Sequence, residues 1–157
     1  MKAATIQEIK QELTTLSSSR LTELCLRLAR YKKDNKELLT YLLFEAGDEA
    51  GFIQNIKSEI DLEFEELPRA TLYHTKKSLR KIVRTLIKRI KYTGSAQVEI
   101  ELLGYYCLKV KRSGIPIHKN PVLINLYQQQ VKKIRAAIAT LHEDLQYDYL
   151  KELKEID

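Results

Sequence analysis

Residues that interrupt helices are scarce in this sequence, which has five glycines and three prolines among 157 residues. Proline cannot continue a helix, and glycine inside one costs about 1 kcal/mol relative to alanine. Together with a 31% share of charged residues, this scarcity favours long amphipathic helices over sheets. A chain of about 150 residues can bury roughly 70% of its unfolded surface, so a core needs no disulfide or metal. We expect a single helical domain over residues 1–157.

Cysteine is also scarce, and long apolar runs are missing. Cys25 and Cys107 are far apart, which excludes a disulfide framework or a C-x-x-C motif, and their apolar neighbours at helical spacing predict that both lie in the core. No stretch approaches the roughly 18 uncharged apolar residues of a membrane span. Residues 1–13 alternate charged and apolar positions, unlike a signal peptide. We expect a cytoplasmic protein that does not enter membranes.

Motifs that carry metal, cofactor or nucleotide chemistry are missing as well. His74, His118 and His142 stand alone, and none completes a metal-binding helix motif. The sequence has no glycine-rich phosphate loop and no G-x-S-x-G nucleophile motif. We therefore expect no catalytic residue, cofactor, metal site or small-molecule substrate, and hence a protein that is not an enzyme.

Capping residues and helix breakers mark the helix boundaries. Thr5 with Glu8 and Asp34 with Glu37 have the spacing of capping boxes, and Asn120, before a proline, is a further start. Four helix ends are predicted at Gly47, Pro68, Gly94 and Gly114. These marks predict helices near residues 5–16, 19–33, 35–46, 48–66, 70–93, 95–112 and 121–156.

Apolar residues recur at steps of three or four along these segments, which gives the predicted helices an apolar face. Residues 60–64 and 98–102 also alternate as strands would, but their acidic and amide residues suit a helix better. Gly104, inside a predicted helix, indicates a close helix crossing. The predicted fold is all-α, an irregular antiparallel helical bundle of about seven helices; a short stacked, solenoid-like array of helical hairpins is the alternative.

The last predicted helix is long for a domain of this size. Its 36 residues would extend about 54 Å, whereas a domain of this length is roughly 40 Å across. The helix should therefore either overhang the domain or break. We expect residues 146–157 to form a protruding helix end, which is either a frayed tail or a surface that presents Tyr147 and Tyr149 to a protein partner or to a second copy of the chain.

Charge is distributed in blocks along the chain. Residues 45–66 carry one basic and eight acidic residues, a net charge of −7, whereas residues 67–142 carry 16 basic and two acidic residues, a net charge of +14. Six basic residues of the predicted fifth helix fall within an arc of about 100° beside its apolar face. These residues, which we call the basic face, are Lys77, Arg80, Lys81, Arg84, Lys88 and Lys91.

The basic face, within residues 76–91, has two interpretations. It extends about 21 Å, with Tyr73 and Tyr92 beside it, so a phosphate backbone could follow it. Alternatively, the acidic helix over residues 48–66 folds back and neutralises it. Our first functional hypothesis is a non-catalytic helical interaction or scaffold protein that binds a protein partner or itself. The alternative is a nucleic-acid-binding domain that uses the basic face.

Overall fold

The computed structural model describes all 157 residues. Helices are its only regular secondary structure and contain 79% of the residues, and there is no strand. This confirms the all-α prediction, including helices where residues 60–64 and 98–102 alternate. None of the helices combines the length and the apolar character needed to cross a lipid bilayer. The α-helices are α1 (Ile6–Thr14), α2 (Ser18–Tyr31), α3 (Lys33–Thr40), α4 (Glu49–Glu65), α5 (Leu72–Thr93), α6 (Ala96–Arg112), α7 (Pro121–Ile138) and α8 (Glu143–Leu153). A π-helical turn spans Tyr41–Glu45 and a 3₁₀ turn spans Ile117–Lys119.

The caps show which local signals the structure uses. The Thr5 hydroxyl accepts from the Glu8 N–H, and the Glu8 carboxylate accepts from the Thr5 N–H at 2.7 Å, so this predicted capping box is present. Asn120 accepts two backbone N–H groups at the start of α7. The box predicted at Asp34 is wrong, because α3 begins two residues earlier than predicted and its N-cap, Lys32, makes no side-chain cap bond.

The long helix predicted over residues 121–156 is also wrong, because it breaks into α7 and α8. The His142 side chain caps α8 by accepting from the Asp144 N–H. Gln146 donates its side-chain amide to the Leu141 carbonyl at 2.7 Å, which satisfies a backbone group that the break would otherwise leave without a partner. These side chains stabilise the break in place of a glycine or a proline.

The chain divides into two compact units, unit 1 (Met1–Phe44) and unit 2 (Glu45–Asp157). Unit 1 contains α1 to α3, and α2 packs against α3 within it. Unit 2 contains α4 to α8. The single domain expected over residues 1–157 stays a prediction, because a division of contacts does not show whether either unit folds alone.

The core of unit 2 is built around α6, which packs against α4, α5 and α7. Val98, Leu102, Leu103 and Cys107 of α6 have 0% exposed surface. Burial raises the pKa of the Cys107 thiol to about 12, so this cysteine stays protonated and unreactive, as expected of a core residue. Because α6 is buried on several sides, it sets the positions of the other helices of the unit.

The C-terminal segment packs onto this core, and the protruding end predicted for residues 146–157 is therefore wrong. Leu153 and Ile156 are buried, and the Tyr127 hydroxyl donates to the Ile156 carbonyl. Lys111 donates to the carbonyl of Glu155 at 2.8 Å. The break after α7 lets the last residues return to the bundle, which removes the overhang that a continuous helix would have.

Candidate interaction surfaces

Unit 1 exposes an unusual amount of apolar side chain. None of its three helices contains a buried residue. Apart from Met1, ten large apolar side chains of this unit are exposed, and we call them the unit 1 apolar surface. They are Ile6, Ile9, Leu13, Leu26, Leu28, Tyr31, Leu38, Leu42, Leu43 and Phe44.

Sequence periodicity accounts for part of this surface. Ile6, Ile9 and Leu13 follow one another at steps of three and four, so they share one face of α1. That face is exposed, with Ile6 at 82% of its full surface. Cys25 of α2 is exposed too, so its predicted place in the core is wrong. An amphipathic pattern predicts an apolar face, but it does not show that the same chain covers that face.

The basic face lies on α5, as predicted, and most of it is open to solvent. Lys77, Arg80, Lys81, Arg84 and Lys91 are exposed and form no ion pair, and Lys88 is partly buried. The opposite face of α5 is apolar and buried in unit 2. The helix therefore packs by one side and presents cations on the other.

The acidic helix α4 engages other cations. Glu59 pairs with Arg89, which lies outside the basic face, and Asp61 pairs with Lys109 of α6 at 2.8 Å. A carboxylate of α4 therefore neutralises Arg89 of α5, as expected of the acidic helix, but five residues of the basic face have no carboxylate partner. Tyr73, expected beside this face, is exposed, whereas Tyr92 is partly buried.

One polar cluster joins α4 to α6. The Tyr105 hydroxyl donates to the Asp61 carboxylate at 2.6 Å, and Lys109 pairs with the same carboxylate. Hydrogen bonds from Lys109 and Tyr105 lower the pKa of Asp61. Burial and Asp61 raise the pKa of Tyr105 to about 12. At neutral pH, Asp61 is therefore ionised and Tyr105 protonated, so the cluster fastens two helices together and offers neither a general acid nor a general base near pH 7.

A groove of about 750 Å³ lies between α6 and α8, and we call it the α6–α8 groove. Its apolar floor contains Ile100, Leu108, Ile134, Leu145, Leu153 and Ile156. Its carboxylates are those of Glu101, Asp148, Glu152 and Glu155. Tyr149, which we expected on a protruding end, lines this groove, whereas Tyr147 is exposed.

Gly104 of α6 also lines the groove. A β-carbon built there meets no atom within 4 Å, so the predicted close helix crossing is wrong. The sequence could not have indicated this groove, because α8 forms one wall only after the chain breaks at a place that no glycine or proline marks.

Comparison of the chain with protein-family models, with curated proteins and with solved structures gives no match.

Proposed function

We propose that this chain is a non-catalytic helical interaction protein, and that its unit 1 apolar surface binds a second copy of the chain. The observation that carries the proposal is the exposure of ten large apolar side chains on a unit of 44 residues. Scattered exposed leucines are ordinary on protein surfaces, whereas Ile6, Ile9 and Leu13 line one exposed face of α1 and form an apolar stripe of the kind found at interaction sites. Tyr31 and Phe44 are 78% and 80% exposed and supply the aromatic anchors that interfaces favour.

The exposed apolar area of unit 1 is of the order that a dimer needs. Complete burial of a large apolar side chain contributes about 1.5–3 kcal/mol at about 25 cal/mol per Å², which corresponds to roughly 60–120 Å² each. Weighted by their exposed fractions, the ten side chains present roughly 350–700 Å² in total, which approaches the roughly 800 Å² that each partner contributes to a stable interface. A two-fold dimer uses the same patch on both copies, so a single such surface is sufficient.

Self-association can be measured by light scattering coupled to size exclusion over a range of concentrations. We expect the wild-type protein to dimerise and the triple variant Leu28→Gln, Leu43→Gln, Phe44→Gln to be monomeric, with a dissociation constant raised at least about 100-fold. Salt should not weaken the dimer, because apolar burial drives its formation.

The matched control changes three exposed apolar residues of unit 2, namely Leu62→Gln, Tyr73→Gln and Tyr147→Gln. This variant should dimerise as the wild type does. A wild-type protein that stays monomeric at the highest concentration reached would contradict the proposal. So would a control variant that loses self-association to the same extent as the unit 1 variant.

A second candidate function is nucleic-acid binding through the basic face. The observation that favours it is the absence of any carboxylate partner for five exposed cations along α5. Contacts with about five phosphates predict that the logarithm of the affinity falls with the logarithm of the salt concentration at a slope of about −4 to −5. Such binding would be largely independent of sequence, because phosphates rather than bases are contacted.

Charge reversal tests this second candidate. We expect Lys77→Glu, Lys81→Glu, Arg84→Glu to abolish the retention of a duplex oligonucleotide at low salt without a change in helicity. The control is Lys2→Glu, Lys10→Glu, Lys36→Glu, three exposed residues of unit 1 whose reversal changes the net charge equally. If the wild type shows no binding at low salt, or if both variants lose binding equally, the basic face is not a nucleic-acid site.

A further inference from the structure

The α6–α8 groove is a second surface that nothing in this chain fills. Its two helical walls match in length, since Ile100 to Leu108 on α6 and Leu145 to Leu153 on α8 each extend about 12 Å. Four of its six floor residues, Ile100, Ile134, Leu153 and Ile156, are buried, so the floor is continuous with the core of unit 2. The groove is open along its top and therefore suits an elongated ligand better than an enclosed small molecule.

The groove is acidic. Lys57, its only basic lining residue, is already paired with Glu101 at 3.4 Å and lies over the ring of Tyr105. The other three carboxylates, of Asp148, Glu152 and Glu155, are exposed and have no cationic partner. Burial raises the pKa of Tyr149, and the charges of Glu101 and Glu152, which also line the groove, raise it further.

Gly104 keeps the floor of the groove open. Glycine inside a helix costs about 1 kcal/mol relative to alanine, and its backbone here does not adopt a positive φ that would favour glycine. No neighbouring atom excludes a side chain at this position either. Within the chain the absence of a side chain therefore stabilises nothing, but it leaves space above the backbone of α6 that a ligand can enter.

We propose that the α6–α8 groove binds a basic amphipathic helix of a partner protein, with the apolar side chains of that helix on the groove floor and its lysines or arginines beside Asp148, Glu152 and Glu155. Apolar anchors at positions i, i+3, i+4 and i+7 are the usual way in which a helix occupies a groove. Charge complementarity selects a basic helix over an acidic one and excludes the phosphates of nucleic acids. This site is separate from the unit 1 apolar surface, so the inference goes beyond the proposed self-association.

The test measures the fluorescence anisotropy of a labelled synthetic peptide titrated with the full-length protein. The peptide has about 14 residues, with leucine at positions i, i+3, i+4 and i+7 of each repeat and lysine elsewhere, so that it forms a basic amphipathic helix. We expect it to bind the wild type and to bind the double variant Asp148→Lys, Glu152→Lys at least about tenfold more weakly. Gly104→Leu, which places a side chain on the floor, should weaken binding to a similar extent without loss of helicity.

Three controls show whether any loss of peptide binding is specific to the α6–α8 groove. Glu65→Lys with Glu66→Lys makes the same change of charge at two exposed positions, the last residue of α4 and its C-cap, outside the groove and should leave the affinity unchanged. The monomeric unit 1 variant, Leu28→Gln, Leu43→Gln, Phe44→Gln, should bind the peptide as the wild type does, which separates this site from the self-association surface. A peptide with glutamate in place of lysine should not bind.

The proposal is overturned if the basic peptide does not bind the wild type. It is equally overturned if the acidic peptide binds as well, or if the α4 variant loses as much affinity as the groove variant. Loss of peptide binding in the unit 1 variant alone would place the peptide on unit 1 and would also reject the groove. The light-scattering result is independent of all these outcomes, so failure of one proposal is distinguishable from failure of the other.

Discussion

Leu103→Ala is expected to lower the free energy of unfolding by roughly 3–5 kcal/mol. Leu103 has no exposed surface and belongs to α6, the helix against which α4, α5 and α7 pack. Alanine would remove three buried carbons and leave a cavity that the surrounding helices cannot close without moving, and both effects destabilise the native state. A loss of this size is a large part of the 5–15 kcal/mol that typical domains possess.

Denaturation by urea, followed by circular dichroism, measures this loss. The matched control is Leu43→Ala, the same chemical change at a side chain that is 65% exposed in unit 1. The control should change the stability of the monomer by less than about 0.5 kcal/mol. Equal losses in the two variants would show that α6 is not the centre of the core, and the description of unit 2 would then be wrong.

Deletion of residues 146–157 is expected to destabilise unit 2 by about 4 kcal/mol or more. The deletion removes two buried side chains, Leu153 and Ile156, each of which contributes about 1.5–3 kcal/mol of apolar burial. It also removes the carbonyl that accepts from Tyr127 and exposes the floor of the α6–α8 groove. A protruding helix end, by contrast, could be removed at almost no cost.

Thermal unfolding of the shortened chain distinguishes a C-terminal segment that packs on the core from a helix end that protrudes. We expect its midpoint to fall by about 8 °C or more, since 1 kcal/mol shifts the midpoint by about 2–8 °C in domains of this size range. Deletion of residues 1–4, which are exposed and precede α1, is the control and should leave the midpoint nearly unchanged. A C-terminal deletion with an unchanged midpoint would mean that the last residues do not pack as described.

The sequence predicted the helices well because local signals determine them. Glycine or proline follows the ends of α4, α5 and α6 closely, and side chains such as Thr5 and Asn120 satisfy the first backbone N–H groups. A break in the last helix was one of two stated alternatives, but its position was not predicted, because its stabilising contacts come from His142 and Gln146 and no glycine or proline marks it. The error in the last predicted helix led directly to the error about a protruding end.

Apolar and polar residues alternate in residues 60–64 and in residues 98–102, but for different structural reasons. In α6, Val98, Ile100 and Leu102 are all buried, because this helix is surrounded on several sides and residues two apart both meet neighbours. In α4, Ile60 is buried whereas Leu62 is exposed, because α4 is covered on one side only. Alternation in these segments therefore reflects the degree of burial, and tertiary packing rather than local propensity decides it.

The candidate sites were predictable only in part. The helical period places the basic face on one side of α5, but the partners of the acidic residues of α4 depend on which helices meet, and this is not a local property. In unit 1, Cys25 was expected in the core but is exposed, because helical periodicity alone does not distinguish an apolar face that the chain covers from one that it leaves exposed. The α6–α8 groove joins residues far apart in the chain and had no local signal.

Hydrogen exchange of the wild-type protein at low and at high concentration shows whether unit 1 carries an interface between copies of the chain. We predict that backbone amides of α1 to α3 become more protected as the concentration rises, while those of α6 stay equally protected throughout. Protection that does not depend on concentration anywhere in residues 1–44 would contradict the proposed interface.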